Sequence, residues 1–588
     1  MNRTMDWLGL GGVAFITLLP SCGGTAASTE SDAMEPGSTA QLAVLADSQP
    51  DVNARCTLQC DQLLASLRYP DTVFTSATSV ASGQLKLSGQ DVPAHCLVTG
   101  KMRERVSTID GQSYAIGFEM RLPLDWNRRF FYQANGGTDG NVVPATGDTS
   151  GGGPLTSALL KGFAVISSDA GHGAAQNPSF GIDPQARLDY GYQAVGKLTP
   201  MAKSVLFSAY GHKPKHSYIG GCSNGGRHAL VAAARYADQY DGYLVGSPGL
   251  DLPKAAVASI YGAQQYAPLS GGAVIPAGPF AGLPDLSAAF TQAERQLVSD
   301  KVLERCDALD GVSDGMVQKT VACQAVFSLE RDVPTCPSQR DGTCLTEAQK
   351  VAIGNAFSGG QTSAGSPIYS RFPFDSGHAS EGTVFWDFIS PLILDSGAVG
   401  FVFGSPPVNP ATFIPPLFAL MGSVDQMAAS IVATDELYTE ASQTFMVPPD
   451  RTNLRGLRKN GGRMLIYHGT SDPIFSADHT KAWFESLDQS KSEPVAQLYL
   501  VPGMNHCSGG PATDQFDLLT PLVRWVEQGE APREVVASAR GPANPGGFNY
   551  ELPPNWSPDR SRPLCPYPRV AVFQGGDVER AESFACRR

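Results

Sequence analysis

At 588 residues the chain exceeds the size at which one hydrophobic core keeps growing, which excludes a single small domain and predicts a large catalytic domain carrying a second domain or a long insertion. A formal charge of −13, with no lysine- or arginine-rich run, excludes the electrostatic footprint of a nucleic-acid partner. The composition, 42% hydrophobic and 17% charged, is that of a globular enzyme, and beyond the N-terminus no apolar run approaches the roughly 20 residues of a membrane span.

In chain order, residues 1–22 read as a secretory signal: Arg3, an apolar run from Leu8 to Leu19, then Leu19-Pro20-Ser21-Cys22-Gly23. The last five resemble a lipobox whose cysteine would carry lipid, with ordinary signal cleavage nearby as the competing reading. The expectation is thus a secreted protein or a periplasmic or outer-membrane-anchored lipoprotein, touching a membrane through that lipid alone. Residues 23–50, rich in Ser, Ala, Thr, Glu and Asp with little to bury, predict a disordered tether.

Short runs rich in β-branched and aromatic residues then predict strands at Arg129–Gln133, Phe163–Ser167, Ser217–Gly221, Gly242–Val245, Met464–His468 and Ala496–Val501. Helix-like segments such as Arg227–Tyr240 and Ala477–Leu487 alternate with them, which predicts an α/β class with a mainly parallel sheet. Between them the rhythm stops and the chain becomes Pro- and Gly-punctuated. The expected organisation is a catalytic domain from 51–250 and 456–588 with a lid domain, 251–455, inserted over the active site.

Chemistry gathers after these strands. Ser217 to Gly226 is a strand running into Gly221-Cys222-Ser223-Asn224-Gly225 and then a helix, the Gly-x-Ser-x-Gly turn that lifts a serine nucleophile above the sheet edge. The helix start places the Asn224 amide where an oxyanion forms. The loop after Phe130 to Gln133 offers Gly137 as the second amide. The order serine, acid, histidine selects Asp472, in His468-Gly469-Thr470-Ser471-Asp472-Pro473, and His506, in Pro502-Gly503-Met504-Asn505-His506-Cys507, each just past a strand. His468 and His172 are the weaker bases, expected to be hydrogen-bonded in place.

Twelve cysteines fit an exported chain. Setting Cys22 aside, the expected local pairs are Cys306/Cys323, Cys336/Cys344 and Cys565/Cys586, with Cys60/Cys96 leaving Cys56 over. Cys222 precedes the expected nucleophile and Cys507 follows the expected base; a bond between them would hold their Cα atoms within about 7 Å and bring Ser223 and His506 together. Within the insertion, Asp307, Asp310 and Asp314 surround a glycine turn, a concentration of oxygen suited to a hard cation such as Ca²⁺, although the spacing is not that of an EF-hand.

Several of these stretches, with Phe130-Phe131, Gly181 to Asp189, Gly221-Cys222-Ser223, Asp307 to Val317 and Pro502 to Gly510, resemble the tannase and feruloyl esterase family of α/β-hydrolases, whose bacterial members include a mono(2-hydroxyethyl) terephthalate hydrolase. The resemblance runs from about Cys56 to the C-terminus. It implies the triad, the bridge between the neighbours of Ser and His, a lid over an aromatic acyl group, and a structural calcium held by the side chains of Asp307, Asp310 and Asp314 and the carbonyls of Val312 and Met316. It also implies Phe475 as an aromatic wall. One departure stands out: the terephthalate enzyme is expected to use a lid arginine for its substrate's free carboxylate, whereas no Lys or Arg occurs between Arg371 and Arg451. Burying a carboxylate without such a partner is costly. The expected substrate is therefore a small ester of a phenolic acid, feruloyl or galloyl in type, with the terephthalate monoester as the alternative. A serine peptidase and an inactive calcium-dependent surface binding protein are the competing functions. Of the lid aromatics, Phe401, Phe403 and Phe413 are candidates to line the pocket, against the commoner fate of packing in the insertion's own core.

Overall fold

The apolar runs assemble into a nine-stranded mixed sheet in the computed structural model, which describes residues 58–149, 151–152, 156–337, 339–487 and 494–588. The signal, lipobox, tether and Cys56 lie outside the described residues. The strands are β1 (Thr72–Val80), β2 (His95–Val106), β3 (Ser113–Pro123), β4 (Arg129–Gln133), β5 (Ala164–Ser168), β6 (His216–Cys222), β7 (Gly242–Gly246), β8 (Arg463–Gly469) and β9 (Ala496–Val501). Their order across the sheet is β1-β2-β3-β5-β4-β6-β7-β8-β9. The first three pair antiparallel, β3 pairs antiparallel with β5, and the six from β5 to β9 run parallel.

Parallel strands are covered on both faces and so read as nearly continuous apolar runs. β7 is buried at every position and β6 at all but its first. Alternate side chains serve opposite faces: Phe130 and Tyr132 of β4 enter one core with Ile219, while Phe131 enters the other with Tyr218 and Leu244. Each such ring, fully buried, contributes about 1.5–3 kcal/mol relative to exposure.

The inserted segment carries no strand among its described residues. It is built from helices such as α3 (Leu252–Tyr266) and from π-helical turns at Val384–Ile389, Pro391–Asp395 and Ala398–Phe403. Its Val257, Ile260, Leu392 and Phe403 continue the core beneath one sheet face. The helix expected at Arg227–Tyr240 is α2, Asn224–Arg235; it ends early because Tyr236 leaves helical geometry (φ −132°). Helix α4 (Ala477–Ser486) lies where expected. In chain order, α1 (Ala194–Tyr210) precedes these three. Because β4, β6, β7, β8 and β9 are parallel, the loops that follow them gather at one sheet edge, where ligands bind in such folds.

Candidate active site

At the end of β6 the chain turns sharply. Ser223 has φ 66° and ψ −127°, outside the regions an L-residue prefers. Its N–H donates to the Gly246 carbonyl (3.0 Å), and its own carbonyl accepts from Arg227 (3.0 Å) and Gly249 (3.2 Å). The flanking glycines are dictated by packing: a Cβ on Gly221 or on Gly225 would lie 2.2 Å from the Ala134 carbonyl oxygen. The serine turn is thus pressed against the loop that follows β4. In that loop Gly137 is left-handed (φ 61°), and its carbonyl accepts from the Tyr190 hydroxyl (3.2 Å). A Cβ on Gly136 would lie 3.8 Å from that of Ser223.

Asn224 opens α2, so its N–H has no carbonyl one turn earlier to bond. Its side chain is anchored on both sides, Nδ2 donating to Asp139 Oδ2 (2.8 Å) and Oδ1 accepting from Arg227 Nε (2.8 Å). Gly137 and Asn224 line the same cleft as Ser223, and Asn224 is tied through Asp139 to the loop that carries Gly137.

His506 Nδ1–H donates to Asp472 Oδ2 at 2.8 Å. The other Asp472 oxygen accepts the N–H groups of Ile474 and Phe475, each at 3.0 Å. Burial by itself pushes the Asp472 carboxyl up, but the His506 charge and hydrogen bonds from His468 and His506 outweigh it and hold the group well below the usual carboxylate range. An ionised carboxylate only accepts, which assigns the proton to Nδ1 and leaves Nε2 as the basic nitrogen. That Nε2 is buried and has no hydrogen-bond partner. Trp386 and Phe475 meet the imidazole edge-on at centroid distances of 4.9 and 5.2 Å. His468 bonds Thr480 Oγ1 (2.9 Å) and the Phe475 carbonyl (2.8 Å) and sits beside Asp472, its Nε2 3.4 Å from Oδ2, while His172 stacks on Phe180.

Cys222 and Cys507 are bonded, with Cα atoms 6.1 Å apart, which ties the neighbour of Ser223 to the neighbour of His506. Cys60–Cys96, Cys306–Cys323, Cys336–Cys344 and Cys565–Cys586 are bonded as well. Five disulfides among the described residues are the cysteine usage of a protein that folds in an oxidising compartment. No helix among the described residues is long and apolar enough to cross a membrane.

Ser223, Gly137, Asn224 and Phe475 line one cleft, together with Trp386, Asp395 and Phe403 of the inserted segment. It holds about 30 Å³, well below the ~150 Å³ of a closed cavity that takes a benzene ring. Phe401 and Phe413 instead pack on each other (4.8 Å). Trp386 and Asp395 escaped sequence reasoning because π-helical turns erase the 3.6-residue period by which a helix face is read; the signal available was the aromatic, cation-free run from Val384 to Phe403.

The acidic loop is folded on itself. Asp307 accepts the N–H groups of Asp314 (3.0 Å) and Gly315 (2.9 Å), and Asp314 pairs with the buried Arg562 guanidinium (2.5 Å). Burial, then the nearby Asp314 charge, pushes Asp310 up to about 7, and its Oδ2 is buried without a partner. Among the described residues no three His, Cys, Asp or Glu side chains form a metal cluster by themselves, so a cation here would also need backbone carbonyls. Val312 and Met316 lie in this loop.

Comparison with known proteins places this architecture. Residues 96–587 match the family "Tannase and feruloyl esterase". The chain is 36% identical over 536 residues to the mono(2-hydroxyethyl) terephthalate hydrolase of Piscinibacter sakaiensis, covering 85% of this chain and 86% of that protein. It is 26% identical to a probable feruloyl esterase B-1 of Aspergillus fumigatus, covering 80% and 82%. Among solved structures, feruloyl esterase B from Aspergillus oryzae superposes with a TM-score of 0.69 at 21% identity, covering 90% of this chain and 99% of that one. The tannin acyl hydrolase from Aspergillus niger gives 0.63 at 18%, covering 90% and 95%. At these identities the structural likenesses speak for the α/β-hydrolase fold.

Proposed function

Since the chain belongs to the tannase and feruloyl esterase family and is a carboxylic ester hydrolase, we propose that it is an exported serine esterase that cleaves esters of phenolic carboxylic acids through an acyl-enzyme on Ser223. The observation that carries this reading is the His506–Asp472 pair at 2.8 Å, with the unpartnered Nε2, tethered by the Cys222–Cys507 bridge beside a serine on a strained turn. The serine and the Gly137 and Asn224 amides provide nucleophile and anion stabiliser at one place.

In the proposed reaction His506 Nε2 takes the Ser223 hydroxyl proton as Oγ attacks the ester carbonyl. The Gly137 and Asn224 amides hold the developing oxyanion, and Asp472 stabilises the imidazolium without accepting its proton. Collapse of the tetrahedral intermediate breaks the ester C–O bond, and the proton passes to the departing alcohol. Water repeats the sequence on the acyl-enzyme and releases the acid and the free serine.

The cleft wall supports this acyl class. Phe475, Trp386 and Phe403 offer aromatic faces, and no Lys or Arg lines the cleft among the described residues. This favours neutral phenolic acyl groups. The second reading, a terephthalate monoester, is favoured by the identity to the Piscinibacter enzyme. Purified protein assayed on methyl ferulate, methyl gallate and mono(2-hydroxyethyl) terephthalate, with Ser223→Ala alongside, separates them. Turnover of the phenolic esters that disappears in the variant is the expected outcome; preference for the terephthalate ester would transfer the assignment to the second reading.

The acidic loop supports a structural calcium site in the same proposal. The unpartnered Asp310 oxygen lies in a loop with two more carboxylates, and the expected holders are Asp307, Asp310 and Asp314 with the Val312 and Met316 carbonyls. The ion would neutralise the crowded carboxylates and tie the loop; it takes no part in the ester chemistry. The N-terminal lipid anchor and the role of residues 251–455 as a lid belong to the proposal as well.

A further inference from the structure

Resting on that phenolic-ester reading, we propose that Asp395 is the specificity-determining residue of the acyl pocket: its carboxyl accepts a hydrogen bond from a phenolic hydroxyl of the acyl group and disfavours acyl groups that carry a second carboxylate.

The cleft has two chemically different sides. Gly137, Thr138, Tyr190, Ser223 and Asn224 form the reacting side, with Ser223 among them. The inserted segment supplies Leu252, Trp386, Leu394, Asp395, Ala398 and Phe403, and of these Asp395 carries the one ionisable group. An ester whose carbonyl sits among the reacting side's amides directs the rest of its acyl group toward this second side, between aromatic and aliphatic walls that end on a carboxyl.

Asp395 is itself 5% exposed and held in place. Its Oδ2 accepts from Ser390 Oγ (2.8 Å) and from Ser259 Oγ (3.1 Å), the latter on α3. Both donors go to the same oxygen, which leaves Oδ1 without a hydrogen-bond donor among the described residues while the residue lines the cleft. No cation compensates the group; burial pushes it up to about 6, with the two serine hydrogen bonds acting against that rise. A carboxyl set in an apolar wall is costly unless its remaining lone pairs are satisfied. A phenolic hydroxyl is a donor of the kind that the free Oδ1 lacks. A terephthalate monoester presents a carboxylate there instead, and two like charges at hydrogen-bond range repel strongly in so dry a site.

The discriminating experiment compares kcat/KM for methyl ferulate with that for its O-methylated counterpart, methyl 3,4-dimethoxycinnamate, in the wild type, Asp395→Leu and Asp395→Asn. Active sites are counted by fluorophosphonate titration. The wild type is expected to prefer the free phenol by roughly 10- to 100-fold, the range of a hydrogen bond to a charged acceptor. Asp395→Leu should bring the ratio to near unity, and Asp395→Asn should reduce it while raising activity on mono(2-hydroxyethyl) terephthalate. A residue that merely stitches α3 to the π-helical turn would alter thermal stability and leave the ratio unchanged, which would overturn the proposal. So would a wild-type ratio near unity, an arm that stands even if Asp395→Leu does not fold. Turnover of 4-nitrophenyl acetate with neither cinnamate nor methyl gallate accepted would instead bring down the phenolic-ester reading, and the proposal with it.

Discussion

Ser223 is held at φ 66° and ψ −127°, a conformation costing on the order of 1–3 kcal/mol that survives because its backbone is hydrogen-bonded to Gly246, Arg227 and Gly249. The strain turns the hydroxyl out of the sheet and into the cleft. Asp472 works differently: two backbone N–H groups occupy one oxygen, which fixes the other toward His506 Nδ1. Asp472→Asn keeps this shape but offers an amide where only an acceptor serves, and so selects the wrong tautomer. The expected result is a fall in kcat on the order of 10⁴-fold with KM little altered; a modest loss in steady-state assays would remove Asp472 from its proposed role. Chain order singled out Ser223, Asp472 and His506 in the sequence, because each follows a strand, and the structure brings His506 onto Asp472 and bridges the neighbours of Ser223 and His506. Asp395 was not legible, since a buried Asp flanked by Leu394 and Ser396 in a loop-rich stretch looks like any capping residue until the cleft is seen.

Strands were legible where burial is continuous. The expected bounds of β4 and β9 coincide with the observed ones, and β6, β7 and β8 differ by a residue at their ends. The antiparallel strands β1, β2 and β3 were missed: β1 is half solvated and has no fully buried stretch, bulges at Phe74/Ser76 and Met102/Arg105 break the alternation that marks a two-faced strand, and β3, though mostly buried, is interrupted in sequence by the paired Glu119 and Arg121. At the two ends of the inserted segment, Asp251 accepts from Arg451 Nη1 (2.6 Å) and is also bonded to His479 Nε2 (2.9 Å) of α4. Burial alone would raise Asp251, but hydrogen bonds from His479 and then Arg451 bring it down to about 2. A depressed carboxyl stabilises above its unfolded pKa and loses that stabilisation as pH falls toward the folded value. Wild type and Asp251→Asn should therefore differ by on the order of 2 kcal/mol at pH 6, a gap that closes between about pH 4 and pH 2. Urea midpoints across that range measure it, and a gap constant down to pH 2 would count against the tie.

For the whole molecule, the crowded acidic loop ties a segment stapled by Cys306–Cys323 to the C-terminal part of the chain through the Asp314–Arg562 pair. A ligand that binds only the folded state stabilises it by mass action. Calcium at 100 times its dissociation constant should thus add about 2.7 kcal/mol, seen as a higher Tm reversed by chelation and largely absent in Asp310→Asn. Equal melting curves with calcium and with chelator would remove the ion from the proposal.

The bond between Cys222 and Cys507, residues 285 apart in sequence, also makes a covalent ring that encloses the whole inserted segment. A protease that nicks an exposed loop of that segment therefore produces a two-chain molecule, not two fragments. The half bearing Ser223 and the half bearing His506 stay joined at the one place where the proposed chemistry needs them together. Nicked enzyme should migrate as two bands only after reduction and keep its activity until then. A hydrolase built this way tolerates a single cut that would separate the halves of an unbridged chain.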